Sequence, residues 1–271
     1  MLNLIRIEMD RAFRNMKMYI ALLAGCVVSI LQVIIEVLPS VKYQVTGDFK
    51  EFPHTSFEHY IGANHKVFTI YYYLFVIILA AVPYAASAYT DRKTGYIKNI
   101  FTRTEKKNYY ISKYVVAFVS AGTVAVVPQI LNFLLQTIIF PSIQPYPGIG
   151  YVGLFSDMMW SDIYYKNAFL YFGLYLVLDF IMYGLINTIA VSAMWMFKGK
   201  IVFILLPFMC VKFVDLILNM MQKENWMAES FLRPDQPYTN TSLCEIAIYA
   251  LVLIAICVIT GVYGVRKKDN L

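Results

Sequence analysis

The stretch 67–88, VFTIYYYLFVIILAAVPYAASA, decides the fold. It holds no Asp, Glu, Lys, Arg or His, and its apolar residues run on without alternation. A helix rises about 1.5 Å per residue and the hydrocarbon core of a bilayer is about 30 Å thick, so about 20 apolar residues cross it. Unbroken apolar runs favour spanning helices over a β-barrel, whose strands alternate. Working outward, five further runs meet the same test: Met18–Leu38, Ser112–Phe140, Ala168–Phe197, Ile201–Met221 and Cys244–Val265. Ser112–Phe140 and Ala168–Phe197 are long enough to tilt or to reach into the interface. The expected fold is an all-α membrane protein with six transmembrane helices.

Composition agrees. Of the 271 residues, 59% are hydrophobic and 15% charged, against about 25% charged in an average soluble domain. Mean hydropathy is +0.59. Thirteen Gly, 10 Pro and 4 Cys exclude collagen-like repeats, Pro/Gly-rich disorder and a disulfide scaffold. Cys26, Cys210 and Cys257 fall inside apolar runs and Cys244 at the edge of one, with no metal-ligand spacing; small buried hydrophobes is the reading for all four. Leu23-Ala24-Gly25-Cys26 resembles a lipoprotein cleavage box. Its preceding apolar core is too short for a signal peptide, however, and the run continues to Leu38.

Lys and Arg orient the spans. Arg6, Arg11, Arg14, Lys17, Arg92, Lys93, Lys98, Arg103, Lys106, Lys107, Lys113, Lys198, Lys200 and 266–268 fall on one side. Only Lys42, Lys50, Lys66, Lys166, Lys223 and Arg233 fall on the other. The first side is expected to be cytoplasmic, with both termini inside. The pI near 9.0 follows from these loops, and anionic lipid headgroups are their simplest partner; no nucleic acid need be invoked. Residues 1–17 read as a basic amphipathic helix in the inner headgroup plane. Leu4, Ile5, Met9, Ala12, Phe13 and Met16 lie on one side of it, and Arg6, Asp10, Arg14 and Lys17 on the other.

After the second run comes YTDRKTGYIKNIFTRTEKKNYYISKY (89–114), whose loop portion is 89–111. Helical spacing places Tyr96, Ile97, Ile100 and Phe101 on one face and Lys98, Asn99, Thr102 and Arg103 toward the other. Gly95 permits a sharp turn just before them. A short amphipathic helix of this kind suits docking in a groove on a soluble partner; the plain alternative is an ordinary basic loop.

The acidic-x-x-x-Gly start (Asp91 to Gly95), the short apolar helix (Ile97, Ile100, Phe101), and then Arg103, Lys106, Tyr110 and Lys113 entering a span resemble the first cytoplasmic loop of ABC-2 type transporter permeases. The six-span plan, the interfacial N-terminal helix and the stretch 222–243 before the last span are similar to the same family. Tyr96 stands where such permeases often carry Thr, and Thr104 where Pro is common. The resemblance implies that Asp91, Gly95, Tyr96, Ile97, Lys98, Ile100, Phe101 and Arg103 form a coupling helix seated in a cytoplasmic ABC ATPase. It also implies two ATPase copies, a second permease subunit (homo- or heterodimer) and a bacterial cell membrane. The chain has no GxxxxGK[ST] loop, so ATP and Mg2+ are expected in the partner, with no cofactor or catalytic residue here.

Charges inside apolar runs are costly and are candidates for function. Glu36 either reaches external headgroups or lines a pathway; Asp179 falls near mid-depth, a candidate for a polar pathway or dimer interface. Lys212 and Asp215, three apart, can pair on one helix face. Pro83, Pro128 and Pro207 are expected to interrupt three runs, with Gly173 and Gly184 as close-packing sites.

On the external side, His54, His59 and His65 lie near Glu51 and Glu58, but spacings of five and six share no helical face and no HExxH occurs. A solvated loop is expected there, and no metal. The Pro/Gly cluster 141–150 reads as a turn, and Trp160, Tyr164 and Tyr165 as interfacial anchors. Trp226, Met227, Phe231 and Leu232 suggest a short helix dipping into the outer leaflet. Asn240-Thr241-Ser242 reads as a chance sequon.

The function expected is therefore a permease subunit exporting an amphiphile: a peptide (antimicrobial peptide export or immunity), a lipid or a drug. A secondary transporter or membrane scaffold is the alternative. An intramembrane enzyme is disfavoured, because no intramembrane His, nucleophile motif or paired glutamates occur.

Overall fold

The computed structural model describes residues 1–41, 54–145, 154–238 and 241–266. Those residues form helices and turns without a strand. Helix α1 (Leu2–Phe13) is set off from α2 (Met16–Gln32) at Asn15, whose extended backbone and side-chain oxygen, accepting from the Lys17 N–H at 3.1 Å, cap the second helix. Through a π turn at Val33–Val37, α2 continues to Val41. Then follow α3 (Ser56–His59), α4 (Val67–Ala81), α5 (Ser87–Lys93), α6 (Tyr96–Phe101) and α7 (Lys106–Ile139). The chain continues with α8 (Ser161–Lys166), α9 (Ala168–Ser192), α10 (Lys200–Met220), α11 (Ala228–Leu232) and α12 (Leu243–Arg266).

Five helices are long and apolar enough to cross a membrane: Met16–Val41, α7, α9, α10 and Leu243–Tyr263 of α12. Together they suggest a multi-pass helical membrane protein. The second expected span differs. The run was expected to reach Ala88 with an interruption at Pro83, and α4 indeed ends at Ala81, so its 15 residues rise only about 22 Å. The cause is Pro83, which has no N–H to offer Leu79 and crowds the carbonyl there. The Ala85 N–H still reaches the Ala81 carbonyl at 3.0 Å, so the winding is interrupted and resumes in α5. Pro128 and Pro207, expected to interrupt their runs as well, do not: both sit inside unbroken helices.

Helix α7 is the centre of the molecule, touching α1, α2, α4, α9 and α12. Its closest partner is α9, through a reciprocal pattern. Phe118-x-x-x-Gly122 of α7 meets Phe180-x-x-x-Gly184 of α9, with the two rings edge to face at 5.7 Å. A Cβ on Gly122 would stand 2.7 Å from the Phe180 carbonyl, and one on Gly184 2.9 Å from the Phe118 carbonyl. Gly25 of α2 lies equally close to Pro128. Small residues let the backbones approach where lipid offers no hydrophobic drive.

The end opposite α1 is closed by packed short segments. Phe133 and Phe172 stack at 4.1 Å, and Tyr60 meets Phe172 edge-on at 5.1 Å. This corrects three expectations. Residues 55–64 are buried and do not form a solvated loop. Tyr164 is buried beside Tyr171, and Trp160 packs on Tyr175, so these aromatics serve the core more than an interface. Phe231 and Leu232 of α11 are buried inside the chain and do not dip outward into lipid. The expected Pro/Gly turn lies partly outside the described residues, as do Glu51 and the Asn240 of the sequon.

Candidate functional site

The chain leaves α4 through the Pro83 turn, and α5 carries Asp91 toward α1. Gly95 then adopts a left-handed backbone (φ +74) with open space around it, which reverses the chain into α6 without a steric penalty. On α6 the helical spacing is as read: Ile97 and Ile100 are buried, Tyr96 and Phe101 half-buried, and Lys98, Asn99, Thr102 and Arg103 exposed. The buried side faces this chain's own core, among Leu4, Ala85, Tyr109, Met194 and Phe203. The apolar face expected to dock on a partner is therefore already occupied, and the outward face of α6 is polar and basic.

Beneath α6 lies a closed cluster of charges. Lys113, 0% exposed on α7, places its Nζ 2.8 Å from Glu8 Oε2 and 2.6 Å from Asp91 Oδ2, and donates to the Tyr84 hydroxyl at 3.1 Å. Tyr84 donates to Glu8 Oε2 at 2.5 Å, and Tyr109 to Asp91 Oδ2 at 3.1 Å. Arg11 donates through Nη2 to Asp91 Oδ1 at 2.7 Å and through Nη1 to Glu8 Oε1 at 2.7 Å. Its guanidinium lies 4.8 Å from the centre of the Tyr96 ring. Two carboxylates thus balance two cations, drawn from three helices: Glu8 and Arg11 from α1, Asp91 from α5 and Lys113 from α7. Burial pushes the Asp91 carboxyl up, but the Arg11 hydrogen bonds and the Lys113 charge outweigh it and hold the group below its ordinary value. Burial would lower the Arg11 value; hydrogen bonding to Asp91 and the Glu8 charge raise it instead.

Of the expected residues, the structure brings together Asp91, Gly95, Tyr96, Ile97, Ile100 and Phe101, and leaves Lys98 and Arg103 facing outward. Glu8, Tyr84 and Tyr109 were not anticipated. The signal for Glu8 was present: it sits between Leu4 and Ala12 at spacings of four, a carboxylate on the buried stripe of α1.

The other expected charges lie elsewhere. Asp179 is 0% exposed, inside the chain and away from its outer surface. Gln129 Nε2 donates to its Oδ2 at 2.5 Å and the Tyr73 hydroxyl does so at 3.4 Å, while Oδ1 has no partner among the described residues. Gln129 belongs to a stripe with Asn132 and Gln136 on α7 that also escaped the sequence reading. Asn132 accepts from the Ile61 N–H at 2.8 Å and donates to Gln32 Oε1 at 2.9 Å. Gln136 donates to the same Gln32 oxygen at 3.1 Å. Glu36 accepts from the Phe68 N–H at 3.2 Å, capping the start of α4 from a neighbouring helix. Lys212 and Asp215 do pair, at 3.6 Å, but within a larger network. Glu229 joins Lys212 at 3.2 Å and Arg233 at 3.1 Å, and Arg233 joins Asp235 at 2.7 Å. These bonds hold α11 on α10.

Between α7, α9 and α12 runs an apolar groove of about 650 Å³, lined by Tyr114, Phe118, Thr188, Cys257 and Gly261, with Lys107 at its basic end. Comparison of the chain with protein-family models, with curated proteins and with solved structures finds no match.

Proposed function

We propose that this chain is the membrane-embedded permease subunit of an ATP-driven transporter of the ABC-2 type, with the basic end of the molecule cytoplasmic and residues 67–88, α4 with the turn at Pro83, serving as a sixth, kinked span. One observation carries the reading: α5, which leads through Gly95 into α6, is bolted to α1 and α7 by the Glu8–Arg11–Asp91–Lys113 cluster, Arg11 lies over the Tyr96 ring of α6, and Lys98, Asn99, Thr102 and Arg103 face outward. A helix fixed in this way passes a push on its outer face into the bundle without absorbing it. The partner is a separate P-loop ATPase, two copies in the assembly, which binds ATP and Mg2+ and hydrolyses ATP; this subunit supplies no catalytic group. A second permease copy, identical or related, completes the pathway, and the bacterial plasma membrane is its location.

The cargo is an amphiphile, a peptide, lipid or drug, with export or immunity toward an antimicrobial peptide as the leading case. The apolar groove with one lysine at its basic end supports that class: it suits an apolar body with an anionic or polar head. The test is purification from the native host in mild detergent. A nucleotide-hydrolysing subunit should accompany the wild type and be lost from the Lys98→Glu/Arg103→Glu double variant, which keeps its fold because both side chains are solvated. If an ATPase accompanies neither protein, or accompanies both equally, the reading fails.

A further inference from the structure

At the end opposite α1, residues 54–59 (HTSFEH) fold into a cap followed by the short helix α3, and this brings together side chains whose spacing gave no common face. One ligating atom of His54, of Glu58 and of His59 can each be chosen so that all three lie within 4.8 Å of one another. The His54 Nδ1 is 3.4 Å from Glu58 Oε2, and the two imidazoles meet at 71° with centroids 4.8 Å apart. The cluster is enclosed. His59 is 5% exposed and stacked on Phe140 at 4.7 Å, and the ring of Phe140 also faces His54.

His59 is the telling residue. Among the described residues neither of its ring nitrogens has a hydrogen-bond partner, although both are buried. A buried imidazole always carries at least one N–H or lone pair that needs a partner, so this orphaning calls for one. Its backbone, by contrast, is held firmly, the carbonyl accepting from Gln32 Nε2 at 2.9 Å. Around Glu58 the Thr55 N–H donates to Oε2 at 3.4 Å, which orients the carboxylate toward the two rings.

The geometry points to a divalent zinc-class cation site formed by His54, Glu58 and His59. Two imidazole nitrogens and one carboxylate oxygen form a borderline donor set that suits Zn2+, whereas Ca2+ and Mg2+ call for oxygen shells. Bond lengths near 2.0–2.1 Å place tetrahedral ligand atoms about 3.4 Å apart, so the cluster closes onto the metal by roughly an ångström of side-chain movement. Three protein ligands leave a fourth position for water or an anion. The bound cation satisfies one orphaned His59 nitrogen and ties the cap to the ring of Phe140 at the end of α7. The site does not depend on the transport reading and would hold in a protein of any function.

The experiment uses the full chain, purified in detergent through a tag that binds no metal, stripped with chelator and reloaded with zinc or cobalt ions alone. Expected is about one equivalent of zinc per chain, a tetrahedral cobalt spectrum, and a rise in melting temperature on loading. Glu58→Gln and His59→Gln should each weaken zinc binding by more than about 100-fold, as losing a ligand costs more than losing a group behind it. The Glu58→Gln variant keeps size and shape and so separates lost binding from lost folding. His65→Gln lies outside the cluster and should bind as wild type. Absence of stoichiometric zinc from the wild type, or equal binding by the ligand variants, overturns the site.

Discussion

At the scale of single residues, Lys113 stands out: a fully buried cation held by Glu8, Asp91 and Tyr84. It enters α7 as one more basic residue of a basic loop, yet it is fully buried between two carboxylates. Replacing it with Met leaves Glu8 and Asp91 with Arg11 as their one shared cation beside the Tyr84 and Tyr109 hydroxyls, and breaking a buried ion pair from one side costs about 3–5 kcal/mol. A Lys113→Met protein should therefore melt far below wild type in detergent; an unchanged melt would mean that the cluster contributes nothing to the fold. His65 gives a pH signature instead. Its Nδ1 lies 2.5 Å from Asp235, and that hydrogen bond, opposed by burial and by the nearby Arg233, raises the imidazole above its ordinary value. The folded protein thus holds the proton more tightly than the unfolded chain. The stabilisation is complete below about pH 6.5 and is lost as pH rises through the raised folded value. Melting curves across that window should show the loss in wild type and a flatter dependence in His65→Gln; parallel curves would remove His65 from the account.

At the scale of elements, the contact between α7 and α9 rests on glycines whose neighbours are backbone and cannot yield. Gly122→Ala forces its new carbon to within 2.7 Å of the Phe180 carbonyl and should destabilise by about 1–3 kcal/mol. Gly173→Ala on the same α9 meets nothing within 4 Å and should be neutral or gain up to about 1 kcal/mol from helix propensity. If thermal melts rank the two variants the other way, the packing of α7 on α9 is not as described. The presence and core extent of five long helices were legible from hydrophobic length. Their ends were less so: α7 starts six residues earlier than Ser112, at Lys106, and α9 ends at Ser192, because polar residues can extend a helix past its apolar run and an apolar run can outlast its helix. The break at 82–86 was legible from Pro83, but the same reasoning failed at Pro128 and Pro207, which stay within their helices, since a proline inside an apolar run is compatible with both outcomes. The short segments at the far end were misread for a related reason. His54, Glu58 and His59 look solvated by composition, and only the cap of α3 together with Phe140 makes them interior.

At the scale of the whole molecule, two polar assemblies sit at opposite ends of a bundle centred on α7. The Glu8–Arg11–Asp91–Lys113 cluster binds α1 and α5 to α7 at one end, and the Lys212–Asp215–Glu229–Arg233–Asp235 network binds α11 to α10 at the other. Of the first, Asp91 and the α6 face were readable from spacing; Glu8 and Tyr84 required the tertiary contact, because nothing local pairs residues so far apart in sequence. Under the proposed function, the outward face of α6 is where a nucleotide-driven partner pushes. A photo-activatable side chain placed at exposed Asn99 in native membranes tests it most directly. The account predicts a crosslinked product containing a P-loop ATPase, diminished by Lys98→Glu/Arg103→Glu. A product pattern with lipid or with this chain alone, and no ATPase, would contradict it.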